Sequence, residues 1–540
     1  MLEEWRAKKD LTNENRHHNR KGYPFFRYTF QMVGGIPMCA LQKPRYRALS
    51  HGECAGAPIL RTLWDRFDLS LLLMQSGISK RNGAPSWLLC FLYVVGLVCG
   101  CSSVSQMTDR AAKDALLKRL FHPWKLAQYT MSRLFSTPYA WKTFGKKRVE
   151  RLQQDEHTAL QDGDVINLDD THVAHPYAKK LPFLSWLYDH STKTYVWAMN
   201  LVVLQAVLQT GLEYPLFYLP WRKPEVKEEG LTKLDLARQM LVMLRESVSC
   251  RLWVAMDRWF LCKEFFGFLE AHGYDWVTKA KRNTALFRKV IEPCTKRERY
   301  VPLTPIMLIR EVFRELTSMA SSGLVSLSIP DIYMKLPYET TTKKGRPISK
   351  QRYVRIAAVV AMRLKEDESP AEETLADSLE AELPATYKGA YLLISNRHDV
   401  PEEALRTYVK RWRIEVFFRA AKQELSMEKC HSESESHHHS HLELLFVTET
   451  LLGVALWELN KEKTSDDEGY THGEMVRGLF HTRCQLRIKH HKGQERIYLD
   501  CDTRVQDFAR LIDLFWPEHL LMLLWLTPKP QIYQHFLRSA

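Results

Sequence analysis

One stretch of the sequence carries an acid flanked by cations at helical spacing. Residues 401–425 read PEEALRTYVKRWRIEVFFRAAKQEL. Pro401 and the two glutamates after it suit the first turn of a helix, and the lack of a later Gly or Pro predicts about six uninterrupted turns. At about 100° per residue, one stripe of this helix holds a phenol, two cations and an acid: Tyr408, Arg411, Lys422 and Glu415. In such an arrangement the carboxylate can hold a metal ion while the cations on either side bind phosphate oxygens.

Charged residues three or four positions apart also form ordinary solvated helix faces. This helix, however, contains an apolar set that would be unusual on a surface element: Trp412, Ile414, Val416, Phe417 and Phe418. We therefore interpret it as a buried helix that carries a functional acid.

The spacing Y-x2-R-x3-E-x6-K resembles the YREK signature of bacterial insertion-sequence DDE transposases, a cut-and-paste family with an RNase H-like catalytic core. The neighbouring RWRIEVFF and AAKQEL also resemble that family, and the resemblance covers roughly residues 160–460. It implies two further aspartates upstream, each at the end of a strand.

Two upstream segments fit this expectation: VINLDDT (165–171) and RLWVAMDRW (251–259). Strand-end aspartates are also common caps and turn formers, so their order before the Glu helix matters more than either one alone. In the family the catalytic aspartate directly precedes a threonine, and the second is followed by arginine. The resemblance thus implies Asp170 and Asp257, with Asp169 as the alternative at the first position, since strand alternation does not decide between the neighbours.

The elements around these residues predict an α/β protein. Strand, strand, strand, helix and strand follow in order from residue 165 to 259, which is the RNase H-like arrangement. We predict an RNase H-like mixed-sheet core interrupted by a β-rich insertion, with helical N-terminal and C-terminal regions. The predicted boundaries are a basic, mostly helical DNA-binding region at 1–150, the first part of the core at 151–299, the insertion at 300–388, the second part with the Glu helix at 389–430, and a helical region at 431–540.

Charge is distributed unevenly along the 540 residues. The net charge is +14, and residues 1–150 hold 24 Lys and Arg against 10 Asp and Glu, which accounts for all of it. A basic region on a neutral body favours a polyanionic partner, and nucleic acid is the commonest. Residues 279–299 add a second basic run, in which Lys281 and Arg282 are expected to contact DNA rather than form only a solvated loop.

Other classes of protein fit less well. The eleven cysteines include no CxxC pair, which disfavours a disulfide or zinc framework and favours a reducing cytoplasm. The apolar run at 87–101 is shorter than the roughly twenty residues of a membrane span, so it is interpreted as a buried helix. The histidine-rich CHSESESHHHSH (430–441) is expected to be an exposed linker rather than a zinc site.

The resemblance implies that Asp170, Asp257 and Glu415 bind two Mg²⁺ or Mn²⁺ ions, and that Tyr408, Arg411 and Lys422 contact DNA phosphates. Double-stranded DNA, as element ends and as target, is then the partner. A homodimer in a synaptic complex, a cytoplasmic, nucleoid-associated bacterial location and no membrane contact are also expected. Two alternatives stay open: a metal-dependent nuclease that does not join strands, and an inactive DNA-binding remnant.

Overall fold

The computed structural model describes residues 26–29, 45–189, 192–223, 230–292, 296–319, 323–341, 347–364, 389–461, 463, 469–481, 484–491 and 494–503. Between residues 57 and 152 the chain is helical: α1 (Ala57–Arg66), α2 (Leu69–Gln75), α3 (Ser86–Val98), α4 (Val104–Lys113), α5 (Ala115–Leu120), α6 (Gln128–Ser136) and α7 (Trp141–Leu152). Almost every residue of α3 is buried, so the predicted buried helix is confirmed. Among the described residues no helix is both long and apolar enough to cross a membrane.

The central sheet is built from the middle of the chain. Its elements are β3 (Val165–Ala174), β4 (Leu184–Asp189), β5 (Thr194–Val207), β6 (Glu213–Trp221), α8 (Lys233–Arg245), β7 (Trp253–Met256), α9 (Lys263–Ala271) and β8 (Asp275–Lys279). Strand β3 pairs antiparallel with β5 on one side and parallel with β7 on the other, and β7 pairs parallel with β8. The predicted mixed α/β, RNase H-like strand order is therefore confirmed.

The chain between β8 and the Glu helix, which includes the insertion predicted at 300–388, extends this sheet. Strands β9 (Leu286–Ile291) and β10 (Glu298–Leu303) form a hairpin, α10 (Pro305–Met319) follows, and β11 (Gly323–Thr341) pairs with β12 (Pro347–Leu364). Strand β13 (Ala390–Ser395) lies between β12 and β8, which joins the long hairpin to the core in a sheet of 11 described strands. The end of β13 then leads into the helical segment that carries Glu415.

The last described part of the chain contains α11 (Glu402–Lys410), α12 (Trp412–Gln423), α13 (Glu435–Asn460) and α14 (His472–Phe480), followed by β14 (Cys484–His491) and β15 (Gln494–Thr503). A second sheet has the order β1 (Phe26–Thr29), β15, β14, β2 (Arg45–Gly52). Strands from the two ends of the chain thus pair with each other. Two of them, β14 and β15, lie in the region after residue 431 that the sequence predicts to be helical. The apolar segment 511–526 lies outside the described residues.

The expectation of an exposed linker at 430–441 is wrong. Helix α13 begins at Glu435, and His438, His439 and His441 are 2%, 9% and 2% exposed. The helix is apolar on all sides after this point, and it packs on α3, α6, α7 and β6. The histidines near its N-terminus are therefore buried together with the rest of the helix. Composition alone could not reveal this, because the histidines are buried by elements that lie far away in the sequence.

The three buried histidine rings of α13, those of His438, His439 and His441, have polar partners. The Nε2 of His441 lies 3.2 Å from the carbonyl oxygen of Met427, and its Nδ1 lies 2.9 Å from the hydroxyl of Tyr93. A carbonyl can only accept, so Nε2 carries the proton and Nδ1 accepts from Tyr93. The imidazole is therefore bound in its neutral form, and burial lowers the pKa of His441 to about 3.

We predict that acid destabilises the fold through these rings. Burial lowers the pKa of His437 and of His439 to about 4, whereas histidine in an unfolded chain titrates near 6.5. Between these values the unfolded chain binds more protons, so the free energy of unfolding should fall as the pH decreases from about 6.5 towards 4. Chemical denaturation at several pH values measures this slope.

Replacing His441 with glutamine should reduce the slope, because one ring that resists protonation is lost. The matched control replaces the exposed His398 with glutamine. Equal slopes for the wild type and the His441→Gln variant would contradict the assignment.

Candidate active site

The predicted helix over 401–425 is present, but its regular hydrogen bonding is interrupted at Arg411, which separates α11 from α12 although the backbone of Arg411 stays helical with φ −57° and ψ −33°. Two side-chain amides of the sheet bind the carbonyls around the break: Asn167 donates to Lys410 at 2.9 Å, and Gln205 donates to Arg413 at 3.4 Å. Asn167 and Gln205 are 0% and 2% exposed, so both amides need partners. The carbonyl of Lys410 is available to Asn167 because the N–H of Ile414 bonds to the carbonyl of Arg411 instead. No Gly or Pro signals this break in the sequence.

The guanidinium of Arg411 lies between two carboxylates. Its Nη1 donates to Oδ2 of Asp169 at 3.0 Å, and its Nη2 donates to Oε1 of Glu415 at 2.7 Å. Burial opposes the charge of Arg411, but Tyr408 and the neighbouring carboxylates outweigh it and raise the pKa of the guanidinium. Arg411 is therefore a fixed positive charge at the centre of the site.

Asp257 is the third carboxylate near Arg411. It directly follows β7, and its Oδ2 accepts a hydrogen bond of 3.1 Å from the backbone N–H of Trp259, which caps the 3₁₀ turn Arg258–Phe260. Asp257 is close enough for its charge to raise the pKa of both Asp169 and Arg411. The middle of β3, the end of the adjacent β7 and the Glu helix thus bring Asp169, Asp257 and Glu415 around one guanidinium. The predicted strand end at Asp169 is wrong, because β3 continues to Ala174 by pairing with β5.

The environment of Asp169 disfavours its charged form. Burial raises the pKa of Asp169, Arg411 opposes this rise, and Asp170 and Asp257 add to it, which together leave the pKa at about 8. One arginine therefore does not balance the negative charge gathered at this point, and a further cation would be favoured there.

Asp170 lies on the opposite face of β3. Its Oδ2 accepts from the amide of Asn200 at 2.6 Å and from Nζ of Lys233 at 2.7 Å. Neighbouring residues of a strand point to opposite faces, so only one of the two aspartates can meet Glu415. The structure brings Asp169 to Asp257 and Glu415, and it does not bring the predicted Asp170 there. One feature of the sequence also favours Asp169: it is two residues from Asn167, so these two polar side chains share one face of the strand.

Lys233 was not found by sequence reasoning. It stands at the start of α8, where Thr232 and Asp235 form a capping box. Its Nζ lies 5.7 Å from the ring centroid of Trp221 and 5.1 Å from that of Trp259, in addition to its contact with Asp170. Its position beside the carboxylates depends on the packing of α8, which no local motif indicates.

The remaining predicted DNA contacts are spread around the site. Tyr408 is only 6% exposed, and the guanidinium of Arg411 lies 5.6 Å from the centroid of its ring. Lys422 is half-buried, and burial lowers its pKa against the opposing charges of Glu428 and Asp189. Lys281 is half-buried and Arg282 is exposed, both in the turn after β8.

The three carboxylates fit a divalent cation by their chemistry. Mg²⁺ and Mn²⁺ prefer carboxylate oxygens, and Asp169 lies in surroundings with excess negative charge. No group of three or more His, Cys, Asp or Glu side chains in the described ranges is arranged to hold a metal ion. Arg411 already occupies one oxygen of Asp169 and one of Glu415, so a metal would bind their other oxygens or displace the guanidinium.

The strand order, with Asp169 on β3 and Asp257 directly after the adjacent β7, defines an RNase H-like α/β fold. The family model described as the transposase DDE domain matches residues 161–449, which is more than half of the chain, and the chain belongs to this family. A cryo-EM structure of piggyBac transposase in a synaptic complex with hairpin DNA is similar, with a TM-score of 0.37 and 10% identity over 79% of this chain and 78% of that chain. No curated protein matches the chain.

We predict that Asn167→Ala lowers the free energy of unfolding by about 1–3 kcal/mol, because the carbonyl of Lys410 and the amide oxygen of Gln205 then lose their buried donor. The denaturation midpoint measures the loss. The exposed Gln154→Ala variant is the control and should stay within about 0.5 kcal/mol of wild type. An unchanged midpoint for Asn167→Ala would show that the amide does not support the helix break.

Proposed function

We propose that this member of the transposase DDE family cleaves DNA at the inverted-repeat ends of a mobile element and joins the freed 3′ ends to target DNA. Asp169, Asp257 and Glu415 would hold Mg²⁺ or Mn²⁺, as two ions. The observation that carries the proposal is the convergence of these three carboxylates, which are far apart in the sequence, around Arg411. Bound divalent cations would activate water or a 3′-hydroxyl and stabilise the leaving oxygen.

The chain's own residues would position the DNA. Arg411 carries a fixed positive charge beside the carboxylates, and its fork of donors matches phosphate oxygens. Lys233 lies on the other face of β3, where Asp170 fixes its ammonium group, and it would neutralise an adjacent phosphate. Asp170 is then a positioning residue rather than a metal ligand.

The partner would be double-stranded DNA. All of the excess positive charge of the chain lies in residues 1–150, and a basic surface supplies most of the sequence-independent affinity for a duplex. Lys281 and Arg282 stand in the turn that follows β8, at the same end of that strand as Lys279, whose Nζ lies 5.9 Å from the ring of Tyr408. Two copies of the chain would bring two element ends together in the synaptic complex.

We predict distinct effects for the two adjacent aspartates. The Asp169→Asn, Asp257→Asn and Glu415→Gln variants should each lose at least about a hundredfold in nicking and joining, because each removes a metal-binding oxygen. The Asp170→Asn variant should lose about tenfold or less, because it only loosens Lys233. The assay uses labelled duplexes of the inverted repeats that flank the gene, with and without Mg²⁺ or Mn²⁺.

Duplex binding in the absence of metal is the control for folding, and it should survive in all four variants. Nicking that persists in Asp169→Asn but is lost in Asp170→Asn would reverse the assignment of the first ligand. Metal-dependent nicking without any joined product would indicate a nuclease. Binding with no cleavage by the wild type would indicate an inactive remnant.

We predict a pH-dependent stabilisation by Mg²⁺. A carboxylate must lose its proton to bind a cation, and the pKa of Asp169 is about 8 because of burial and its acidic neighbours. The Mg²⁺-induced rise in Tm should therefore be larger at pH 9 than at pH 6.5, by a few degrees at saturation. Differential scanning fluorimetry measures it without any DNA.

The Asp169→Asn variant should show a smaller Mg²⁺ effect at both pH values, whereas Asp170→Asn should keep the wild-type response. Excess EDTA should reverse the shift. Equal responses of wild type and Asp169→Asn at both pH values would place the cation elsewhere.

A further inference from the structure

A cluster of large aromatic side chains lies exposed on the hairpin of β4 and β5. Trp186, Tyr188 and Tyr195 are 58%, 42% and 67% exposed, and Trp197 beside them is half-buried. We refer to these four residues as the aromatic ladder. Large exposed rings that adjoin one another are unusual on a protein surface and mark interaction sites.

The ladder is formed by directly opposed residues of two antiparallel strands. Trp186 faces Trp197 with ring centroids 5.4 Å apart, and Tyr188 faces Tyr195 at the same separation. Cross-strand pairing holds the four rings in fixed positions, so little side-chain freedom remains to be lost when a flat partner binds. Strand β4 is also the edge of the sheet, so this end of the surface is open among the described strands.

A concavity of about 500 Å³ adjoins the ladder. It is lined by Pro176, Tyr177, Ala178, Lys179, Trp186 and Trp197. The indole N–H of Trp197 donates to the carbonyl of Ala178 at 2.8 Å, which fastens the loop after β3 to the ladder. Tyr177 on this loop is 95% exposed. The concavity is large enough for a planar heterocyclic ring between aromatic walls.

The ladder shares a sheet face with the candidate active site. Directly opposed residues of antiparallel strands point to the same face, and Asp169 faces Val203 while Trp186 faces Trp197. Val203 and Trp197 are six residues apart on β5, an even number, so Asp169 and the ladder project from one side. The separation along the strand is about 20 Å.

The charge around the ladder is positive. Lys179, Lys180 and Lys193 are exposed beside it, and Asp189 at the end of β4 is the one acidic residue between 176 and 189. Lys422, on the Glu helix, is close enough to Asp189 for the two charges to interact. Lysine is depleted in protein–protein interfaces but common along nucleic-acid backbones, so this composition favours a nucleic acid over a second copy of the chain.

We propose that the aromatic ladder and its concavity bind unpaired bases of a single DNA strand, with Lys179, Lys180 and Lys193 contacting its phosphates. Bases in a duplex are stacked on one another and cannot lie on these rings, whereas unpaired bases can. Within the proposed function, the strand would be one that continues along the sheet face from the scissile phosphate. The binding itself needs neither metal nor cleavage.

The test measures binding by the full chain, without divalent cations, to a fluorescent oligonucleotide of about twenty thymidines and to a duplex of equal length. We expect Trp186→Ala and Tyr195→Ala to weaken single-strand binding about tenfold each while duplex binding stays unchanged. Trp186→Phe and Tyr195→Phe keep a ring and should retain most of the affinity. Tyr338→Ala, which removes a 36% exposed ring on β11, is the matched control and should bind as wild type.

Equal single-strand affinities for the wild type and the Trp186→Ala/Tyr195→Ala double variant would overturn the proposal. So would a wild type that self-associates in sedimentation, with a double variant that is monomeric but binds the oligonucleotide unchanged, because the ladder would then contact a second copy. A wild type that binds the single strand but neither cleaves nor joins the inverted-repeat duplexes would refute the proposed function and leave this inference standing.

Discussion

The candidate site depends on one interaction, the bridge that Arg411 makes between Asp169 and Glu415. A buried guanidinium is tolerated only when its charge is paired, and Asp169 and Glu415 both use Arg411 as their cationic partner. Arg411 and Glu415 are one helical turn apart, and the carbonyls of Lys410 and Arg413 beside Arg411 accept hydrogen bonds from the amides of Asn167 and Gln205 in the sheet beneath. Sheet, helix break and site are therefore one structural unit.

The pleat of β3 assigns different surroundings to two adjacent acids. Asp169 faces the Glu helix and shares the negative charge of Asp257, whereas Asp170 is held by Lys233 and Asn200 on the opposite face. A shift of one residue would exchange these roles, since alternate residues face opposite sides of a strand. The same alternation aligns the aromatic ladder with Asp169 along β5.

Helix α13 connects the core to the N-terminal helices. It packs on α3, α6 and α7 from one region and on β6 from the other, and its first turn carries the buried histidines. Tyr93 of α3 and the carbonyl of Met427, which follows the Glu helix, both bind His441. The end of the Glu helix is thus anchored to the N-terminal region through a neutral imidazole.

The sequence by itself determined the order of strands and helices from residue 165 to 259, the apolar character of the Glu helix and the spacing from Tyr408 to Lys422, because these follow from local periodicity and side-chain type. It did not reveal strands β14 and β15, which pair with strands from the other end of the chain. The tertiary structure decided which aspartate meets Glu415, where the helix breaks and that the histidines are buried. Asn167 and Lys410 are 243 positions apart, and Tyr93 and His441 are 348 apart. Contacts over such distances depend on how sheet and helices pack, and a single sequence records neither the packing nor the face that each side chain finally occupies.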